Sequence, residues 1–399
     1  MASPADDQDG LSPATRLVRA GRSPDLTGPF VNPPVVHAST VLFENTDALL
    51  SGRQRYVYGR RGTPTSEALE SAISEMEGAA GTVLCPSGLA AASVALLSVV
   101  AAGGHVLIAD CVYGPVRHFA DTVLQRLGVD VTYFDPAIGA GIDALFTDAT
   151  TAVYLEAPGS LTFEMQDIPA IAAAAHARDA YVIADNTWAT PLYFRPLDHG
   201  VDIAVVAGTK YLVGHSDVMI GTIAANQRAW RMVKETHGTL GMHVGPDDVY
   251  LALRGLRTMG IRLDRQMASG IAVATWLASR PEVARVLHPA LPGDPGHTLW
   301  RRDMTGASGL FGVVFDGWSE DEAKAFVDGL RLFGIGASWG GFESLVILAK
   351  TKNIRSAVPW PEGTPLVRLH VGLEEPDDLI ADLERSLDAV AESRRGGDA

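Results

Sequence analysis

The sequence predicts an α/β protein, built on a doubly wound and mostly parallel sheet with a smaller C-terminal α+β domain. From Thr65 onward, short apolar runs typical of buried strands alternate with Ala-rich or polar stretches of helical length. Two of these runs, 181–185 and 201–206, end close to residues with reactive side chains. The last third of the chain mixes strand and helix patterns without this regular alternation.

Each expected element follows from its residue pattern. In the first two thirds of the chain we expect helices at 65–77, 88–101, 115–127 and 167–178, and strands at 105–110, 130–134, 152–156, 181–185, 201–206 and 218–224. A long helix at 246–279 leads into the remainder, with strands at 309–315, about 345–349 and 365–370, and helices at 319–328 and 376–392. In the last helix, the apolar residues share one face and two aspartates occupy the first turn, where the helix dipole favours negative charge.

The first 62 residues contain clusters of Gly, Pro, Asp and Arg and show little periodicity, which indicates an extended arm. Such an arm is hard to stabilise by itself, so we expect it to lie on another subunit. The expected division is an N-terminal arm at 1–62, a large ligand-binding domain at 63–256 and a C-terminal domain at 257–399.

Composition excludes several classes of protein. Of the 399 residues, 47% are apolar and 20% charged, as in ordinary globular proteins, and the net charge of −15 argues against a nucleic-acid partner. The two cysteines, Cys85 and Cys111, provide neither a disulfide framework nor a metal spacing, and the histidines show no paired metal spacing, so we expect no metal. No apolar run could span a bilayer, and the acidic N-terminal tail, expected to be frayed, lacks a signal-peptide core. We therefore expect no membrane association and a cytoplasmic location.

Lys210 is the first candidate for chemistry. It follows the apolar strand Val201–Ala207 and lies in the segment Gly208–Asp217. A strand end delivers this lysine to an interior cleft, where desolvation lowers its pKa from a reference value of about 10.4. A partly neutral lysine is a nucleophile suited to forming a Schiff base. The alternative is a solvated lysine that caps the strand.

Asp185 is the second candidate, because it ends a second apolar strand, Ala180–Ala184, some twenty-five residues earlier. In open α/β sheets, ligands bind in the crevice beyond the carboxyl ends of the strands. Pyridoxal phosphate needs an amine to hold its aldehyde and an acid beside its pyridine nitrogen. The pair formed by Lys210 and Asp185 therefore favours this cofactor, although Asp185 alone could be a turn residue.

A phosphate site is indicated where Cys85–Gly88 leads directly into a helix. The free N–H groups at a helix start bind anions, and Gly88 lets the backbone come close to the ligand. The hydroxyl of Thr209 and the basic, aromatic pair Tyr58 and Arg60 could complete the phosphate site. The alternatives are an ordinary strand–helix turn and a solvated basic patch.

Three further residues could shape a substrate pocket. Tyr113 follows a strand end and could stack on a flat ring, or it could be a core tyrosine. Arg368, in an apolar strand, could hold a carboxylate with two hydrogen bonds, or it could form a structural ion pair. Trp339 lies between Ser338 and a Gly-Gly pair, in a loop flexible enough to shape a pocket.

One motif indicates a different function. Gly139–Ala144 fits a dinucleotide-binding pattern, which would make the protein a nicotinamide-dependent dehydrogenase. Asp135 and Pro136 intervene where the preceding strand should turn straight into a helix, so this interpretation is disfavoured. A non-catalytic protein that binds an amino acid or a partner is also disfavoured, since it has no use for a Schiff-base lysine.

Several segments resemble the cystathionine β-lyases of the Cys/Met-metabolism family of pyridoxal-phosphate (PLP)-dependent enzymes, over residues 15 to 392. The segments that carry the resemblance are Tyr58–Thr63, Ile183–Trp188, Thr209–Asp217, Arg254–Thr258, Ser338–Ser344 and Leu369–Glu374. The lysine segment, Thr209–Asp217, is highly specific for the family. The tryptophan loop, Ser338–Ser344, indicates the β-lyases. The resemblance implies the aminotransferase-like fold of PLP enzymes (fold type I), assembled as a homotetramer.

The resemblance also implies roles for individual residues. Lys210 and Tyr113 are the expected catalytic residues, with Lys210 holding the cofactor and Tyr113 stacking on its ring, while Asp185 pairs with the ring nitrogen. The remaining expected contacts are Gly88, Leu89 and Thr209 to the phosphate, Tyr58 and Arg60 to the phosphate from a neighbouring subunit, and Arg368, Ser338 and Trp339 to the substrate.

The implied activity is α,β-elimination of L-cystathionine to homocysteine, pyruvate and ammonia, as in methionine biosynthesis by transsulfuration. The alternatives within the family are a cystathionine or methionine γ-lyase, a γ-synthase and a cysteine desulfhydrase. Ser160 and Ala337 stand where γ-specific relatives usually have Asn and an acidic residue, which favours β-chemistry. Ala207 replaces a phosphate-binding serine of many relatives, so one phosphate contact is expected to be lost.

Overall fold

The computed structural model describes residues 10–351 and 354–397, with side chains described as far as residue 395. The expected frayed N-terminal tail falls mainly on residues 1–9, which lie outside the described residues.

A seven-stranded sheet forms the larger part of the molecule. Its strands are β1 (Gly81–Cys85), β2 (His105–Ala109), β3 (Asp130–Phe134), β4 (Thr150–Glu156), β5 (Tyr181–Asp185), β6 (Ile203–Val206) and β7 (Gly221–Ala225). Their order is β1-β7-β6-β5-β4-β2-β3, and only β7 runs antiparallel to its neighbours. The predicted mostly parallel sheet is confirmed, although β1 was not predicted and the strand expected at 218–224 begins three residues later.

Helices cover both faces of this sheet, as its buried strands require. They are α4 (Pro64–Glu77), α5 (Gly88–Val99), α6 (Gly114–Phe119), α7 (Ile168–Ala177), α8 (Thr190–Tyr193) and α9 (Trp230–Thr239). The start of α5 packs closely on β7, since a Cβ at Gly221 would lie 2.3 Å from the carbonyl oxygen of Ser87. The helix expected at 115–127 is α6 followed by a π-helical turn at Ala120–Leu124.

The helix expected at 246–279 is two helices, α10 (Pro246–Leu256) and α11 (Met259–Ala278). The prediction of one helix was wrong because Gly255 packs against the backbone of Val213, where a Cβ would lie 2.3 Å from the carbonyl oxygen. The guanidinium of Arg262 then donates a 2.8 Å hydrogen bond to the carbonyl of Gly255 at the end of α10.

A second, five-stranded sheet follows, in the order β10-β11-β12-β9-β8. Its strands are β8 (Val283–Leu287), β9 (Leu310–Phe315), β10 (Gly334–Ile335), β11 (Leu345–Ala349) and β12 (Leu366–His370), and the helices that follow α11 are α12 (His297–Asp303), α13 (Glu320–Gly329) and α14 (Pro376–Gly397). The apolar face predicted for the last helix is buried, through Leu379, Leu383, Leu387 and Val390. β8, β10 and α12 were not predicted.

The expected arm contains three short helices, α1 (Pro13–Arg19), α2 (Pro24–Thr27) and α3 (Thr46–Ser51). Its first part packs on its own chain, since Leu17 and Leu26 are buried in the main core. Its later part exposes large apolar side chains, namely Phe30, Val31, Leu42, Leu49 and Leu50.

Residues 354–358, which we call the strap, connect β11 and β12 and are pinned to the larger sheet by Asp110. The buried carboxylate of Asp110 accepts hydrogen bonds from the N–H groups of Ser356–Val358 at 2.9, 2.8 and 2.8 Å. Arg117 and Arg355 neutralise this carboxylate. One side chain just after β2 therefore holds part of the connection between β11 and β12 in place.

Candidate active site

The predicted site residues lie at the carboxyl ends of β5 and β6, beside β12 and the loop that precedes β11. Asp185 is the last residue of β5, and Lys210 lies in the turn after β6, where its N–H donates to the carbonyl of Ala207 at 3.0 Å. The structure thus brings the predicted acid and amine to the same edge of the larger sheet.

The amine of Lys210 is held by the tryptophan loop. Its Nζ donates a 2.7 Å hydrogen bond to Oγ of Ser338 and lies 5.4 Å from the ring centroid of Trp339. Burial, reinforced by the positive charge of Arg368, lowers the pKa of Lys210 to about 8. The solvated, strand-capping lysine considered as an alternative does not describe this geometry.

Gly340 allows the tryptophan loop to press against the backbone of Lys210. It has φ of +84°, and a Cβ there would lie 2.9 Å from the carbonyl carbon of Lys210. The N–H of Gly340 donates to Nε2 of His370 at 3.0 Å, so this nitrogen is unprotonated. Burial lowers the pKa of His370 to about 3, which agrees with a neutral ring. His370 was not predicted, because its sequence neighbours are those of an ordinary buried strand.

Asp185 is fixed by Thr187, a residue that was not among the predicted site residues. The carboxylate accepts both the N–H of Thr187, at 2.9 Å, and its hydroxyl group. The same hydroxyl oxygen accepts the N–H of Ala207 at 2.9 Å, which links the ends of β5 and β6. Burial raises the pKa of Asp185, and the two hydrogen bonds from Thr187 oppose this shift.

Arg368 is 8% exposed, and its guanidinium donates to the carbonyl of Ser338 at 3.0 Å. Burial lowers its pKa to about 10. Within residues 10–351 and 354–397, no carboxylate lies within salt-bridge distance of Arg368, so the structural ion pair considered as an alternative is not formed there. A buried cation with spare donors is suited to a ligand carboxylate.

The start of α5 has the geometry of an anion site. Oγ of Ser87 accepts the N–H of Ala90 at 3.1 Å, which leaves the N–H groups of Gly88 and Leu89 without acceptors inside the helix. A Cβ at Gly88 would lie 2.4 Å from Cβ of Ala207, so a side chain at position 88 would fill the space. A phosphate fits this position by charge and by donor geometry.

The hydroxyl of Thr209 is already engaged by the backbone of Ile220. It accepts the N–H of Ile220 at 2.9 Å and donates to the carbonyl of the same residue at 3.1 Å. A phosphate contact from this hydroxyl therefore requires that the bond to the carbonyl be exchanged.

Tyr113 and the arm residues differ in their placement. Tyr113 is 47% exposed, and its N–H donates to Oε2 of Glu156 at 2.7 Å. Tyr58 is 46% exposed, whereas the guanidinium of Arg60 donates to the carbonyl of Gly238 at 2.8 Å. In the described part of the chain, no contact joins Tyr58 or Arg60 to the Lys210 cluster, by which we mean Lys210, Asp185, Ser338, Trp339 and Arg368.

The dinucleotide-like motif does not form the structure that its proposed function needs. Residues Gly139–Leu145 form a 3₁₀ helix, rather than the start of an α-helix that follows directly on a strand. Among the residues described, no group of three or more His, Cys, Asp or Glu is arranged for a metal ion. No helix within the described ranges is both long and apolar enough to cross a membrane.

The residues at this edge of the sheet fit PLP. Four features supply the contacts that this cofactor and an amino acid require. They are the lysine with its lowered pKa, the buried acid on the adjacent strand, the anion site at the start of α5, and the buried arginine that lacks a carboxylate partner among the described residues. Together with the sheet topology, they define a PLP-dependent enzyme of fold type I.

The comparisons with known proteins agree with this class. The family model described as Cys/Met metabolism PLP-dependent enzyme matches residues 14–388, and the chain belongs to this family. The predicted family, fold class and cofactor are thereby confirmed.

Individual relatives are similar over nearly the whole chain. A Rhizobium johnstonii protein assigned as a cystathionine β-lyase is 56% identical, with 94% of this chain and 96% of the relative covered. The cystathionine β-lyase MetC of Escherichia coli is 44% identical, with 93% and 96% covered. The crystal structure of cystathionine γ-synthase from Xanthomonas oryzae pv. oryzae has a TM-score of 0.88 at 30% identity, with 96% and 99% covered. The fold is therefore shared by enzymes named for β- and for γ-chemistry.

Proposed function

We propose that this enzyme is a carbon–sulfur lyase that cleaves L-cystathionine by α,β-elimination, with water, to homocysteine, pyruvate and ammonia. The observation that carries the proposal is the contact of Lys210 with Ser338 and Trp339, because this tryptophan loop is the segment that indicates the β-lyases. The names of relatives that are 41–56% identical bear out the predicted activity. Since γ-enzymes share the fold, the site and not the fold makes the distinction.

Bound PLP supplies an electron sink for the substrate carbon that loses its proton. Nζ of Lys210 is the group that takes this proton from Cα, as a general base. Its pKa of about 8 keeps a useful fraction of the amine neutral near neutral pH. The hydrogen bond to Ser338 fixes the position of Nζ, and thus limits the directions from which it can reach Cα.

The remaining site residues orient the reactants. Arg368 binds the substrate carboxylate, and so sets the direction of the Cα–H bond. Asp185 keeps a proton on the ring nitrogen, and Tyr113 stacks on the ring. Gly88 and Leu89 bind the phosphate through their N–H groups, with Thr209 as a further donor.

We also propose that the enzyme is a cytoplasmic homotetramer in which Tyr58 and Arg60 reach the phosphate of a neighbouring subunit. The exposed apolar side chains of the arm, such as Phe30 and Leu42, support an oligomer because they would be covered there. The proposed division of the chain is 1–62 for the arm, 63–256 for the PLP-binding domain and 257–399 for the C-terminal domain.

The deciding experiment is turnover of L-cystathionine with both keto acids measured. We expect pyruvate and homocysteine, whereas 2-oxobutyrate and cysteine would overturn the proposal in favour of a γ-lyase. Lys210→Ala is the control, and it should abolish both the reaction and the visible absorbance of the lysine-bound cofactor. A second assay with L-cysteine as the substrate distinguishes a desulfhydrase.

A further inference from the structure

Glu156 is a second acid at the floor of the proposed cofactor site, and it was not among the predicted site residues. It is the last residue of β4 and is the register partner of Asp185 on the parallel strand β5. In-register residues on neighbouring strands lie about 4.8 Å apart and point to the same face. Two carboxyl groups therefore lie side by side where the pyridine ring is expected.

Two adjacent buried carboxyl groups cannot both ionise cheaply, so one proton is shared unequally between them. Asp185 accepts two hydrogen bonds from Thr187, which stabilise its anion. Among the described residues, the carboxyl group of Glu156 accepts a single hydrogen bond, from the N–H of Tyr113. Burial and the negative charge of Asp185 raise the pKa of Glu156 well above its usual range. The anion therefore resides on Asp185, and the proton resides on Glu156.

We propose that Glu156 is a positioning residue, whose neutral carboxyl group holds the backbone of Tyr113 over the site and leaves Asp185 as the one anion facing the cofactor nitrogen. The proposal rests on the roles proposed for Asp185 and Tyr113, and is independent of which substrate the enzyme cleaves. Glu156 does not contact the reacting atoms, but acts through these two residues.

The surroundings of Glu156 are consistent with a neutral group. Among the residues that the structure describes, the titratable side chains that interact with it are Asp185 on β5, Tyr154 on its own strand, and Cys111 and Tyr113 in the loop after β2. None of these groups supplies a positive charge. A single anion matches the single positive charge of a protonated pyridine nitrogen.

The first test needs no cofactor and no substrate. The infrared difference spectrum between the apoenzyme and Glu156→Gln at neutral pH should contain the carbonyl band of a neutral carboxylic acid, because other buried acids such as Glu77 contribute to both spectra. If the two spectra show the same neutral-acid bands, Glu156 is ionised and the proposal is wrong.

The second test measures binding of PLP to the apoenzyme. Glu156→Gln keeps an acceptor for the N–H of Tyr113 without a charge, so its Kd should stay within about threefold of the parent, and the pH midpoint of the bound cofactor's visible spectrum should not move. Glu156→Ala removes the acceptor, and PLP should bind about three- to tenfold more weakly.

A shifted pH midpoint in Glu156→Gln, or equal affinity of the Gln and Ala variants, would overturn the proposal. The Gln variant and the infrared spectra decide the matter even where the Ala variant fails to fold. Neither test uses cystathionine, so a failure here is distinct from a failure of the proposed reaction.

Discussion

At the scale of single residues, the site is built from groups whose ordinary charge is made unfavourable by burial. Arg368 lies close enough to Lys210 for its positive charge to help lower the pKa of the Lys210 amine, and no carboxylate among the described residues pairs with Arg368. Burying two cations without a counterion costs stability. Such a cost is common where a site is prepared for an anionic ligand.

The lowered pKa of Lys210 predicts unusual reactivity in the apoenzyme. Because its pKa is about 8 instead of 10.5, the neutral amine should become abundant as the pH rises through about 8, well before an ordinary lysine loses its proton. Modification by an amine-directed acylating reagent, followed by mass spectrometry, should give this midpoint for Lys210. Exposed lysines in the same digest are the control. In Arg368→Ala the midpoint should move upward, and an unchanged midpoint would contradict the charge coupling.

Arg368→Ala should also impair turnover. Loss of a hydrogen bond to a charged group costs about 1.5–3 kcal/mol, so kcat/KM for cystathionine should fall about ten- to 150-fold. Arg368→Lys restores the charge without the planar fork, and is expected to recover only part of the loss. Steady-state pyruvate formation measures both variants. Parent-like kinetics in the Ala variant would exclude a substrate-binding role.

Gly88→Ala should weaken cofactor binding. The added Cβ would lie 2.4 Å from Cβ of Ala207, so either the helix start or the strand end must move. We expect at least a tenfold increase in the Kd of PLP, by fluorescence titration of the apoenzyme, corresponding to about 1.4 kcal/mol. Gly293→Ala is the matched control, since a Cβ there meets nothing within 4 Å. Equal affinities of the two variants would contradict the close approach at α5.

At the scale of elements, the strap shows how one carboxylate organises a long connection. Asp110 is fully buried; it accepts hydrogen bonds from three successive N–H groups and forms ion pairs with two guanidinium groups. This arrangement holds an irregular segment, without secondary structure of its own, against the end of β2.

Asp110→Ala should release the strap. Arg117 and Arg355 both form ion pairs with this buried carboxylate, and its removal breaks both pairs. The free energy of unfolding should therefore fall by about 3–5 kcal/mol. Amide exchange at Ser356–Val358 should accelerate, as measured by hydrogen–deuterium exchange. Asp143→Ala is the control, because its ion pair with Arg178 is exposed and is worth about 1 kcal/mol at most. Slow exchange retained in Asp110→Ala would show that other contacts hold the strap.

The sequence allowed prediction of those elements and residues whose position follows from local pattern. Lys210 and Asp185 were identifiable because each follows an apolar strand of a parallel sheet, and such strands end at a common edge. Glu156 and His370 were not, since each acts through a residue that is distant in the chain, Tyr113 in one case and Gly340 in the other. The break between α10 and α11 also depends on a distant contact, which helical periodicity does not contain.

At the scale of the whole molecule, the N-terminal arm has two parts that differ in how much of their apolar surface is buried. Its beginning is buried on its own chain, whereas the part between 30 and 50 exposes apolar side chains. Tyr58 and Arg60 follow this exposed part and have no contact with the Lys210 cluster within the described ranges. Their proposed role therefore requires a second subunit.

Subunit complementation tests this requirement. Lys210→Ala and Arg60→Ala should each be impaired alone, but hybrids of the two should regain activity because one site per pair then has both native residues. Co-expression with two affinity tags, followed by pyruvate assay of the purified hybrid, measures the recovery. Hybrids no more active than the sum of their parents would show that Arg60 serves its own subunit.

The contact of Gly340 with the backbone of Lys210 also has a consequence for protein engineering. Attempts to change the enzyme's choice of substrate will naturally randomise the tryptophan loop, where Ser338 and Trp339 offer the side chains. Libraries that vary these two positions while preserving the glycine should yield many folded variants. Libraries that include position 340 should be depleted of active clones, because any larger residue there displaces the amine from its working position.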